Sequence, residues 1–218
     1  MGVMTSPASD SLKEIHMRLD ERVRAMDEPR WLASRYAAEA DRTALMVLYA
    51  FYYELARVRV AVTDQTMGQI RFQWWRDALN EIEEGQIRQH DVVLAIADQI
   101  PGARLQVPAL TALIERHEAA FLEQDRALEP EDLLISVAAG CLDPAAAVEA
   151  PLADIALEWA ALRRSEARTH LLPRQKIPAR IRPAIAHLRL RHLWQQNPNP
   201  SALKTRLSVL MAMLTGRI

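Results

Sequence analysis

ALMVLYAFYYELARVRVAVTDQTMGQIRFQWWRDALNEI, running from Ala44 to Ile82, is the stretch that decides the fold. It reads as two helices joined by a short polar turn. The first spans about Asp41 to Ala61 and is almost wholly apolar until Glu54, Arg57 and Arg59. The second spans about Gln65 to Glu84 and sets Trp74-Trp75 between Arg71, Arg76 and Asp77. Two long apolar helices joined by so short a turn are expected to pack antiparallel. The pocket expected between them is walled by Tyr49, Tyr52, Tyr53, Trp74 and Trp75. Its charges are Glu54, Arg57, Arg71 and Asp77. Glu54 has aromatic and aliphatic neighbours, and a buried carboxylate needs a partner, for which Arg57 and Arg71 are placed.

Outward from this hairpin the chain reads as helix after helix. Ser11-x-x-Glu14 has the form of a capping box, and Leu12, Ile15, Leu19, Val23 and Met26 follow at helical spacing. Asp27-Glu28-Pro29-Arg30 ends that helix and opens a short one carrying Trp31, Arg35 and Tyr36. Further helices are expected at Asp91–Ile100, from Pro108 to about Ala127, from Pro130, and from Pro144 or Pro151 to Arg168. His117 sits on an apolar face and reads as a core histidine. Pro130-Glu131-Asp132 places acids at a helix start, where the macrodipole favours them. Leu172–Pro178 is a proline-punctuated linker. A helix from Pro178 to Trp194 then presents Ile181, Ala184, Ile185 and Leu188, flanked by Arg182 and Arg189 on one side and Arg180, His187 and Arg191 on the other. Ser201 caps a last helix whose expected core stripe is Leu203, Leu207, Leu210 and Leu214. No repeat and no strand pattern is present. The fold class is therefore all-α, and 218 residues form one domain: an acidic main bundle over residues 1–172 and basic helices over 173–218.

Composition narrows the class. Half of the residues are hydrophobic and a quarter charged, which suits a folded globule. The longest apolar run, Ala44 to Tyr53, is ten residues, too short for a bilayer span. No secretory leader opens the chain, and a single Cys141 suits a reducing cytoplasm. The expected location is cytoplasmic, with peripheral contact at the inner face of a membrane. Met1-Gly2-Val3-Met4-Thr5-Ser6 formally fits a lipidation signal. The formal charge of −1 hides an asymmetry: Arg163 to Ile218 holds 12 Lys and Arg against one acid, Glu166. That basic quarter is expected to meet either the acidic body of the same chain, a protein partner or an anionic membrane surface, through Arg180, Arg182, Arg189 and Arg191. With Trp194 its one aromatic, it is poorly equipped for nucleic acid.

Tyr49–Arg59 (YAFYYELARVR) followed by Ile70–Leu79 (IRFQWWRDAL) resembles the squalene/phytoene synthase family. QWWRDAL points to a bacterial branch that is also similar to a mitochondrial complex I assembly factor. The resemblance implies an isoprenoid-synthase fold, shortened near residue 173. It also implies head-to-head condensation of isoprenyl diphosphates by magnesium held on two Asp-rich motifs. The motif positions depart from that pattern. Those of the first motif fall on Ala56 and Val60. Those of the second, counted from Ala156-Leu157-Glu158-Trp159, fall near Ser165 and Thr169. Magnesium takes hard oxygen ligands and steadies the departing pyrophosphate. Methyl groups offer none. Ser34-Arg35-Tyr36 lies about where the family holds diphosphate. Asp77, Glu81 and Glu84 share one helical face and are weak candidate metal ligands.

The expectation is a non-catalytic family member without a cofactor, binding an isoprenoid or lipid or acting in assembly. The competing expectation is an active magnesium-dependent prenyl transferase. A third is a partner subunit joined through the basic helices.

Overall fold

The computed structural model describes residues 7–146, 148, 150–166 and 170–218. The lipidation pattern of residues 1–6, Arg168 and the motif position Thr169 lie outside the described residues.

Helix α3 (Glu39–Ala61) is the axis of the bundle, with every residue from Ala44 to Tyr52 buried. A helix that is apolar all round has to be enclosed. Around it pack α1 (Pro7–Met26), α2 (Glu28–Ser34), α4 (Gln65–Glu83), α5 (Asp91–Gln99), α6 (Val107–Leu122) and α7 (Glu131–Leu142). Helix α8 (Ala150–Arg163) covers α7 from outside. Asp64 caps α4 by accepting from the Met67 amide at 2.8 Å, so the polar turn read from the sequence is a helix stop and start. Helix α4 packs chiefly on α6. There Gly68 allows the close approach: a Cβ would collide with the Phe121 ring.

Several boundaries differ from the sequence reading. Helix α1 begins at Pro7, so Ser11 and Glu14 sit inside it and form no capping box. Helix α6 stops at Leu122, short of Ala127, because Gln124 turns left-handed. The helix expected over Pro178–Trp194 is broken into 3₁₀ turns at Ala179–Ile181 and Ala186–Arg189, with α9 (Arg182–Ile185) and α10 (Leu190–Gln196) between and after them. Pro183 allows α9 to start but not the preceding turn to continue through it. The apolar stripe is enclosed: Ile181, Ala184, Ile185 and Leu188 are all buried.

The arginines of this segment are spent inside the chain. Arg180 donates to the Leu142 carbonyl at 2.7 Å, at the C-terminus of α7. Arg182 donates to the Met213 carbonyl at 2.8 Å, in the last turn of α11 (Ala202–Thr215). Arg189 donates to the Arg217 carbonyl at 2.7 Å. Cations suit the ends of helices, where carbonyls are left without amide partners. Arg191 is fully buried. Its Nε donates to Glu158 at 3.0 Å and one Nη to the Leu172 carbonyl at 2.8 Å, while the Leu172 amide donates to Glu158 at 2.7 Å. This clasp fastens the basic segment to α8.

The chain end pairs with the linker, the Gln175 and Ile218 amides each donating to the other's carbonyl at 3.0 Å. That bridge is the nearest approach to a strand among the described residues. Helix α11 reverses the sequence expectation. It buries Val209 and Ala212, while Leu203, Leu207, Leu210 and Leu214 face outward. A stripe at helical spacing states which residues share a face, not whether that face is covered.

Glu158→Ala leaves Arg191 buried without its counter-charge and should cost about 3–5 kcal/mol. Urea unfolding reads the loss. Faster hydrogen exchange at the Leu172 amide should accompany it.

Candidate functional site

Of the clefts along the C-terminal half of α3, two share Arg57 in their lining. The first, about 290 Å³, is the one expected between α3 and α4. Glu54, Arg57, Arg71, Trp74 and Trp75 converge there, joined by Val58 and His90. Trp75 is buried, edge-on to Phe51 at 5.3 Å and to His90 at 5.2 Å. Trp74, also in the lining, is more exposed, with the Arg88 guanidinium 4.9 Å over its ring. The partner of Glu54 is neither of those expected at close range. It is Arg22 of α1, with Arg57 only at 4.0 Å. Arg71 is exposed. Asp77 lines neither cleft and accepts from Gln73 at 2.7 Å. Glu81 is held by two Arg88 nitrogens at 2.5 and 2.7 Å, and Glu84 is exposed at the end of α4. The one-face spacing of these acids thus serves an ion pair and a helix end.

The second cleft, about 410 Å³, lies between α3 and the end of α8. Ala56 and Val60 line it from α3. Arg163 and Arg164, immediately before Ser165, line it from the end of α8. Tyr52, Tyr53, Glu129 and Glu131 complete much of its wall. Ser165 itself is exposed in a left-handed turn.

The floor of this crevice is a buried ionic cluster. Asp27 accepts from Arg30 at 2.5 Å, from Arg163 at 2.6 Å and from the Tyr53 hydroxyl. Arg30 also pairs with Glu131, which accepts from the Tyr52 hydroxyl at 3.2 Å. Burial alone would raise the Asp27 pKa, but the Arg163 and Arg30 charges outweigh it and hold the carboxyl well below its usual range. The Asp27 charge in turn raises Arg163. Burial raises both Tyr52 and Tyr53, so both hydroxyls keep their protons and donate. Glu129 is held by Arg59 and, at 3.5 Å, by Arg164.

The donor set does not suit a magnesium–diphosphate site. Ala56 and Val60 have no oxygen to offer, and both glutamates of the crevice already answer guanidinium groups. Among the described residues no group of three His, Cys, Asp or Glu side chains could hold a metal.

Other expected site residues lie elsewhere. Tyr49 is buried beneath the crevice region and donates to the Ala184 carbonyl at 3.1 Å. Ser34 is buried and donates to the Trp31 carbonyl at 2.7 Å. Arg35 pairs with Asp20 at 2.5 Å and lies over the Trp31 ring. Cys141 is a free, buried thiol, pushed up to about 12 by burial. No local pattern signals the Asp27–Arg163 contact, whose members stand 136 positions apart.

Two buried histidines adjoin the cluster. His117 packs edge-on to Tyr52 at 4.7 Å, and neither ring nitrogen has a hydrogen-bond partner among the described residues. His187 packs against Trp159. Burial, then Arg59 for His117 and Arg30 for His187, holds both well below the usual value. The unfolded chain takes these protons near pH ~6.5 and the folded chain does not. Stability is therefore complete above that pH and lost as pH falls below it. The unfolding free energy from urea titration should drop between about pH 7 and 5, by up to about 1.4 kcal/mol per pH unit per histidine. His117→Phe should remove one histidine's share of that slope.

No curated protein and no solved structure matched the chain. The family model for squalene/phytoene synthase matches residues 23–135, a span that holds α2 to α6, the cleft between α3 and α4 and the start of α7, but not the α8 wall of the second cleft. No helix among the described residues is long and apolar enough to cross a membrane. By that match the chain belongs to the squalene/phytoene synthase family.

Proposed function

We propose that this family member is non-catalytic and holds an isoprenoid or similar lipid in the crevice beside α3, as a binding or assembly-factor-like protein. One observation carries the reading. Where the first motif would present carboxylates, Ala56 and Val60 line a crevice whose charges are guanidinium groups and whose glutamates are already paired.

Prenyl transfer needs charge compensation that grows as pyrophosphate departs. Arg163 is fixed by Asp27, and Arg164 is shared between Glu129 and Glu166. Arg57 is the most loosely held of the crevice guanidiniums, 4.0 Å from Glu54 and with its side chain 69% exposed. It can anchor one anionic headgroup. Met26, Tyr52, Ala56, Val60 and Ala160 supply the apolar wall for a prenyl or acyl chain. Binding of that kind needs no divalent cation.

The test mixes the protein with farnesyl diphosphate, in magnesium and in EDTA. Saturable binding should persist in EDTA, with no pyrophosphate released in magnesium. Arg57→Glu, on an exposed side chain, should weaken binding at least about tenfold, the loss of one charge-assisted contact and its replacement by repulsion. Magnesium-dependent release of pyrophosphate would overturn the proposal. So would failure to bind either farnesyl diphosphate or farnesol.

A further inference from the structure

Helix α11 leaves its largest apolar side chains in solvent. Leu203 is 76% and Leu214 67% exposed, and Leu207, Leu210 and Met211 are exposed with them. On a helical wheel these five fall within an arc of roughly 100°. Val209 and Ala212, the buried positions, lie on the opposite side. Arg206 borders one edge of the arc and Lys204 the other, and both are exposed.

The same face carries a basic hollow of about 300 Å³, lined by Arg174, Arg189, His192, Lys204, Leu207 and Met211 among others. No carboxylate lines it. From Leu171 to Ile218 the sequence has no acidic residue at all. The cations therefore press on one another. Arg189 is lowered by burial and by Arg174, and His192 is pushed down to about 4 by burial and by Arg191, Arg174 and Arg189. Arg189 is fixed in place by the Arg217 carbonyl. Arg174, Lys204 and Arg206 make no side-chain hydrogen bond or ion pair among the described residues.

We propose that α11 docks this protein in the plane of an anionic bilayer, its leucine face among the acyl chains and a lipid phosphate in the Arg174–Arg189–Lys204 hollow. An apolar arc with Lys and Arg on both edges is the pattern of an interfacial helix. The cations reach up to headgroups while the leucines enter the hydrocarbon boundary. A second copy suits the face poorly. Across a two-fold axis the same patch meets itself, setting Lys204 and Arg206 against their own kind. Of the four arginines that the sequence suggested, only Arg189 borders this surface, while the Arg180, Arg182 and Arg191 guanidiniums are bound within the chain. The inference is independent of what the crevice binds.

Flotation of the full chain with phosphatidylcholine vesicles, with and without phosphatidylglycerol, tests it. The protein should float with the anionic vesicles, and the binding should fall steeply with added salt. Lys204→Glu with Arg206→Glu should lower partitioning at least about tenfold. Leu203→Gln with Leu207→Gln should abolish it at unchanged thermal stability, because both side chains lie outside the core. Equal flotation on neutral and anionic vesicles would overturn the proposal, as would leucine variants that float like the parent. Sedimentation showing a dimer that Leu207→Gln dissolves would assign the face to a second copy instead. Saturable binding of inorganic phosphate with no flotation would reduce the hollow to an anion site and overturn the bilayer reading.

Discussion

Asp27 is the carboxylate on which the architecture turns. It caps α2 through the Arg30 amide, takes the Arg30 and Arg163 guanidiniums, and accepts the Tyr53 hydroxyl, all while almost fully buried. Four parts of the chain thus meet at one charge: the α1–α2 junction, the body of α3, the end of α8 and, through Arg30, the start of α7. Such a cluster is costly to desolvate and is tolerated only when each charge is answered. Here two carboxylates and two guanidiniums answer one another, with two tyrosines filling remaining positions. The result holds the ends of α3 and α8 at the spacing that opens the crevice.

That arrangement also sets the chemistry of the crevice. Guanidiniums whose charge is committed to Asp27 or Glu129 shape a wall rather than follow a developing charge. A metal would have to compete with Arg30 for Glu131 and with Arg59 and Arg164 for Glu129. On the proposed reading, the family's helical frame surrounds a crevice that holds a ligand rather than cleaving one. Helix α11 extends the same theme at the surface, since cations without counter-charges there border exposed leucines.

The hairpin of α3 and α4 was legible because its information is local. A ten-residue apolar run can only be an enclosed helix in a protein with so little glycine, and Asp64 marks the turn. Glu54, Arg57, Arg71, Trp74 and Trp75 could be grouped for the same reason, being neighbours on two adjoining helices. The ionic floor was not legible. Asp27 reads as helix punctuation and Glu131 as a macrodipole acid, and nothing in the intervening chain says that Arg30 and Arg163 join them. The basic C-terminal segment was legible only in part. For its stripe at Ile181–Leu188 the sequence left both docking on the acidic body and an outer surface open, and the exposed stripe on α11 resembled a core. Periodicity is blind to what lies opposite. Coverage is decided by contacts such as Arg191–Glu158, which span the chain.

The most direct measurement is a crystal structure of the protein with a non-hydrolysable farnesyl thiodiphosphate and manganese, whose anomalous signal locates the cation. The account predicts a prenyl chain beside Ala56 and Val60, a headgroup toward Arg57, and no manganese peak in the crevice. An ordered manganese ion bridging the diphosphate to Glu129 or Glu131, with their arginine partners displaced, would contradict it.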